Sequence, residues 1–204
     1  MSKPLIVTVP GWNSAGWYMK RFNIYAARQG VQIYNFGYGW MLFKTLRNGG
    51  IVQRLVDFIN FYAKQQQATR IIGIGHSNGC EILWKAAQRC HQMNGLVLIN
   101  AALDNDVIFP ESLGFVHNWY SPSDWVVRLA SWIPFNDWGR LGATPYQGVS
   151  AMVTDYNKEA EFGHCSGSHS DVFRVPALRD YFLPLMLNKA RKAHRQLDAG
   201  HDGR

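Results

Sequence analysis

Apolar positions along the chain follow two alternating periods. Leu5 to Val9 is a run of β-forming residues stopped by Pro10-Gly11, which predicts a short buried strand. From about Ala15 to Arg28, Trp17, Phe22, Tyr25 and Ala26 fall at loose helical spacing. Val31 to Phe36 predicts a second strand, closed by Gly37 and Gly39. Ile51, Leu55, Phe58, Ile59 and Tyr62 then form one apolar helical stripe. Ile71 to Ile74 predicts a third strand, Glu81 to His91 a helix, and Gly95 to Ile99 a fourth strand. Phe115 to Tyr120 and Val149 to Val153 predict the fifth and sixth. Pro176 suits the first turn of a final helix running to about Arg195, with Pro184 as a candidate kink.

Strands alternating with helices predict an α/β class: a three-layer α/β/α sandwich around a mostly parallel sheet of about six strands. No linker or repeat divides the chain, so 1–198 reads as one domain and 199–204 as a disordered tail. The stretch Trp132 to Arg140 fits neither period and reads as an aromatic-rich loop.

Composition narrows the class. With 204 residues, 47% hydrophobic and 17% charged, the chain can bury a full core without a disulfide or metal staple. The three cysteines are odd in number and form no C-x-x-C pair; Cys80 and Cys90 fall in an apolar helical pattern and read as core thiols. No apolar run is long enough to span a membrane, and the N-terminus lacks a signal-peptide pattern, so the cytoplasm is the expected compartment. The net charge of +7 hints at acidic partners. Lys189, Arg191, Lys192 and Arg195 gather in the last helix, where cations favour the helix dipole, and no nucleic-acid motif accompanies them. No nucleic-acid partner is expected.

The chemistry concentrates in Gly75-His76-Ser77-Asn78-Gly79, a Gly-x-Ser-x-Gly pattern between a predicted strand and a predicted helix. In that context a serine sits on a sharp turn, its hydroxyl raised above the sheet edge, with helix N-terminal N–H groups beneath it. Gly75 and Gly79 supply the absence of side chains that so tight a turn needs. Neither a phosphate-binding loop nor a dinucleotide fingerprint fits, since Asn78 stands where the latter needs its third glycine. His76, next to the serine, is expected to pack beneath the turn and not to act as a base.

This elbow resembles that of the α/β-hydrolase family in its G-H-S-x-G form, and Pro10-Gly11-Trp12-Asn13-Ser14 is similar to the family's H-G-W-type oxyanion loop, with Pro10 in place of His. The resemblance spans nearly the whole chain. It implies an oxyanion hole from the backbone N–H groups of Asn78 and Trp12. It also implies the chain order nucleophile, acid, base. Ser77 is then the nucleophile. Asp124, just past the fifth strand and followed by an apolar helix, is the preferred acid, with Asp104 and Asp106 as competitors; it can cap that helix as well. His169 is the preferred base and His164, in the same loop, the alternative; His194 and His201 lie in a basic helix and a tail.

The family mechanism implied is ester hydrolysis through an acyl-enzyme, with no cofactor and no metal. His164, His169 and Asp171 lack a metal-ligand spacing. The segment from Asn100 to Gly114 is short for a cap, which implies a minimal, lidless form with an open cleft. Its candidate walls are Trp12, Trp17, Tyr38, Trp40, Phe109, Trp125, Phe135 and Trp138, and its expected substrate is a small-molecule or polymer-borne ester. An acyltransferase, thioesterase or peptidase using the same triad, or a non-catalytic binding protein, are the competing classes.

Overall fold

The computed structural model describes residues 4–12, 16–28, 30–39, 48–130, 132, 138–163 and 168–201. Six strands form one sheet: β1 (Leu5–Val9), β2 (Ile33–Asn35), β3 (Ile71–His76), β4 (Met93–Ile99), β5 (Phe115–Tyr120) and β6 (Val153–Asn157). Their order is β2-β1-β3-β4-β5-β6, and every pairing is parallel. The helices are α1 (Arg21–Arg28), α2 (Asn48–Gln66), α3 (Asn78–Ala87), α4 (Trp125–Ala130), α5 (Lys158–Phe162), α6 (Asp171–Arg174) and α7 (Pro176–His201).

The central strands β1, β3 and β4 are largely apolar because both faces of the sheet are covered there. Leu5, Val7 and Val9 face the core that packs α2 and α3, together with Ile71, Leu96 and Leu98. Their neighbours Ile6, Ile72, Ile74, Val97 and Ile99 face a second core completed by α1 and α7 through Phe22, Phe182, Leu183 and Met186. Cys80 and Cys90 are buried thiols of the first core.

Chain direction across the sheet reverses at β1: β2 lies on one side of it and β3 on the other. In open parallel sheets such a switch point opens a crevice beyond the carboxyl ends of the strands.

Three boundaries differ from the sequence reading. Residues 16–20 form tight turns, and α1 begins only at Arg21. Gly16 adopts φ 68, and successive three-residue bonds such as Phe22 N–H to Met19 C=O tighten the chain there. The sixth strand is 153–157, not 149–153; Val149 is fully exposed, and Val153 pairs with Val116. This edge strand carries exposed Thr154 and Asp155, so its polar pattern concealed it. The last helix continues to His201, into the stretch expected to be a disordered tail. Leu197 explains part of that extension: it packs against the second core, over Gly114. Among the described residues no helix is long and apolar enough to cross a membrane.

Candidate active site

β3 ends at His76 and α3 begins at Asn78, leaving Ser77 alone at the junction with φ 54 and ψ −125. A non-glycine residue at positive φ is strained, and the surroundings hold it there. Its N–H donates to Ile99 C=O at 3.0 Å, and its own carbonyl accepts from the N–H groups of Cys80 and Ala102. The flanking glycines allow the approach of neighbouring backbone. A Cβ on Gly75 would stand 2.9 Å from the Cys80 backbone, and one on Gly79 2.3 Å from Val9 O. Asn78 occupies the first position of α3, where an N–H has no acceptor within the helix.

Asp124 is fully buried in the turn between β5 and α4. One carboxylate oxygen caps α4, accepting from Val127 N–H at 3.1 Å. The other accepts from His169 Nδ1 at 2.7 Å and from the Asn100 side-chain amide. The turn itself is clamped by Glu159 of α5, whose carboxylate takes the Ser123 N–H at 2.6 Å and the hydroxyls of Ser121 and Ser123. Asn157 caps α5 and so fixes Glu159 in place.

His169 lies just before α6, its side chain only 14% exposed. Its ring stands 4.8 Å from that of His76, which is buried beneath the elbow as expected. Burial, and secondly the proximity of His169, hold the His76 imidazole well below the ordinary histidine range. Lys158 is also fully buried at the start of α5. Desolvation draws its ammonium down to about 8, against the pull of the Asp124, Asp171 and Glu159 carboxylates.

Ser77 and His169 line the same cleft of about 330 Å³. Its walls are Trp12, Ala102, Trp138 and the face of α4 that carries Trp125, Val126, Leu129 and Ala130. Trp12 and Trp138 meet edge to face with ring centroids 5.5 Å apart. Trp138 also donates from Nε1 to the Asn78 side chain at 3.3 Å.

Trp12, Ser77 and Asp124 follow the carboxyl ends of β1, β3 and β5, and His169 lies between α5 and α6. The structure therefore gathers Ser77, Asp124, His169, Trp12 and Asn78 at one end of the sheet. Asp104 and Asp106 are exposed on the segment after β4, and the carboxylate bonded to His169 is that of Asp124. His194 is buried on α7, and His164 lies outside the described residues. Of the expected aromatic walls, Trp12, Trp125 and Trp138 line the cleft. Tyr38 and Phe109 are core residues, Trp17 is exposed beside Tyr18, and Trp40 and Phe135 lie outside the described residues. Among the described residues, no three His, Cys, Asp or Glu side chains gather as a metal site.

No protein-family model matches the chain, and no curated protein matches it in sequence. Solved structures do match. Alpha/beta hydrolase domain-containing protein 10 from mouse superposes with a TM-score of 0.60 at 15% identity, covering 93% of this chain and 90% of that one. A predicted CIB-like hydrolase from Thermoplasma acidophilum gives 0.55 at 12% identity, covering 94% and 87%. The chain has the α/β-hydrolase fold. Phospholipase PlaB from Legionella pneumophila matches more locally, at 18% identity over 50% of this chain, with a TM-score of 0.41. This chain spans about a quarter of that protein, the match covering 26% of its length.

Within the α/β-hydrolase fold, four residues that sequence reading passed over surround the site: Asn100, Tyr18, Lys158 and Glu159. Only Asn100 left a signal, an amide residue directly after a strand end, where it adopts φ 48. The others reach the site by tertiary contact alone.

Proposed function

We propose that the chain is a serine hydrolase that cleaves carboxylic esters with Ser77 as nucleophile, His169 as base and Asp124 as the orienting acid. The observation that carries this reading is the pairing of His169 Nδ1 with buried Asp124, on a histidine that shares the Ser77 cleft. A carboxylate can only accept, so the neutral imidazole carries its proton on Nδ1. Nε2 keeps its lone pair for the Ser77 proton. Ser77 then attacks the acyl carbonyl, His169 returns the proton to the leaving alcohol, and water releases the acyl group through the same base.

The oxyanion would rest on the N–H groups of Asn78 and Trp12, each donor contributing about 3 kcal/mol to the transition state. Gly11, the other donor of that loop, is already engaged, giving its N–H to the Tyr18 hydroxyl at 2.7 Å. The apolar walls of Trp12, Trp125, Val127, Leu129 and Trp138 favour an uncharged acyl chain. A panel of p-nitrophenyl esters of increasing chain length, with fluorophosphonate labelling, tests the assignment. Ser77→Ala is expected to lose both turnover and label; a variant that still labels overturns it.

A further inference from the structure

Beneath the elbow runs a chain of three hydrogen bonds, two of them buried and the third part-buried. Gly11 N–H meets the Tyr18 hydroxyl at 2.7 Å, that hydroxyl meets His76 Nδ1 at 2.9 Å, and His76 Nε2 meets the backbone carbonyl of His169 at 2.9 Å. The directions follow from chemistry. A carbonyl oxygen only accepts, so Nε2 carries the proton. A neutral ring then has a bare Nδ1, which must accept, so the Tyr18 hydroxyl donates to it and receives the Gly11 N–H on its oxygen. The surroundings fix the ring in that state. Tyr18 and Phe173 flank His76 with ring centroids 5.4 and 5.0 Å away. A Cβ on Gly11 would fall 3.1 to 3.3 Å from Ser77 Cβ, His76 Nδ1 and the Tyr18 hydroxyl, so the loop is closed tightly onto the relay.

One end of this chain is the loop that carries Trp12; the other is the main chain of His169. These segments are far apart in sequence and are otherwise set by separate loops. We propose that Tyr18 and His76 are positioning residues: their relay ties the backbone of the catalytic base to the oxyanion loop, so that both keep a fixed distance from Ser77. This rests on the serine-hydrolase reading above. It gives a reason for histidine inside the elbow beyond filling space, since an apolar residue of like size could not hold both ends.

The test uses Tyr18→Phe, His76→Gln and His76→Leu, with kcat expressed per fluorophosphonate-titrated site, so that a misfolded fraction drops out. Tyr18→Phe and His76→Leu are expected to lower kcat about 10- to 100-fold with little change in KM, the size of effect that follows from misplacing a catalytic group by an ångström or less. Glutamine, which still offers an N–H toward His169, is expected to recover part of the loss. Wild-type kcat per titrated site in both Tyr18→Phe and His76→Leu would overturn the proposal. So would glutamine no better than leucine. Independently of turnover, ¹⁵N-imidazole spectra of the wild-type protein should show His76 as the neutral Nε2–H tautomer; an Nδ1–H tautomer sinks the relay. Failure of Ser77 labelling would instead strike the hydrolase reading, and the tautomer measurement stands apart from it.

Discussion

Asp124 Oδ2 receives both His169 Nδ1, at 2.7 Å, and the side-chain amide of Asn100, while its other oxygen caps α4. One carboxylate therefore orients the candidate base and starts a helix. The two roles separate by substitution. Asparagine is as good an N-cap as aspartate, whereas alanine removes about 1 kcal/mol of capping. Asp124→Asn is expected to fold with a small change in Tm and to lose about 10⁴-fold in kcat, because the amide no longer enforces the tautomer. Asp124→Ala should lose activity and also melt several degrees lower. Equal Tm values for the two variants would refute the capping role, and wild-type kcat in Asp124→Asn the orienting one.

Asn100 is the residue by which the end of β4 reaches Asp124. It is fully buried at φ 48, and its N–H bonds Trp119 C=O at 2.9 Å. Removing a hydrogen bond to a buried charge costs about 2 kcal/mol. Asn100→Ala should lower stability by that order and reduce kcat with it. Asn100→Asp should be worse at neutral pH, since two carboxylates then face each other, and should recover on acidification. Chemical denaturation of the two variants at pH 5 and 8 decides; a pH-independent Asn100→Asp overturns the contact.

Gly79 and Gly49 are helical glycines with opposite surroundings. A Cβ on Gly79 meets Val9 O at 2.3 Å and Pro10 O at 2.4 Å, while one on Gly49 meets nothing within 4 Å. Gly79→Ala must push β1 away from α3 and is expected to abolish folding or cut Tm sharply. Gly49→Ala near the start of α2 should be neutral or stabilise by up to about 1 kcal/mol. Thermal melts of the pair test the close approach directly; a Gly79→Ala protein with unaltered Tm would refute it.

Acid stability follows from buried histidines. Burial, and secondly the charge of Lys189, lower the His117 pKa to about 4, and His76 is lowered too. Between about 4 and 6.5 the unfolded chain takes up a proton on the His117 ring that the native chain does not, so stability rises with pH through that window and is lost as pH falls, and His76 acts in the same direction. A shift of the His117 size is worth about 3 kcal/mol. Tm measured from pH 7 to pH 4 should fall steeply in the wild type and less steeply in His117→Phe. Parallel slopes would remove His117 from the account.

Much of this is legible in the amino-acid sequence. β1 and β4 are largely apolar runs bounded by Pro10 and Asn100, β5 is an aromatic and apolar run that carries buried His117 and Asn118, and all three match their expected spans to within two residues. The elbow announced itself because its glycines answer a local steric need. The sixth strand did not, because an edge strand is half polar and its identity depends on pairing with β5. Tyr18 and Lys158 left no trace: a tyrosine before α1 and a lysine opening α5 are ordinary surface choices until the fold buries them.

Sequence alone determined what is local: the alternation that makes a parallel sheet, and a serine fixed between strand and helix at an angle only a tight turn imposes. The tertiary structure decided what is convergent. Which of three aspartates meets a histidine and which ring ties the elbow to the His169 loop depend on segments far apart in sequence, 93 residues in the His76–His169 contact. Hydrogen bonds act over about 3 Å, and only the strand order brings such distant groups within that range.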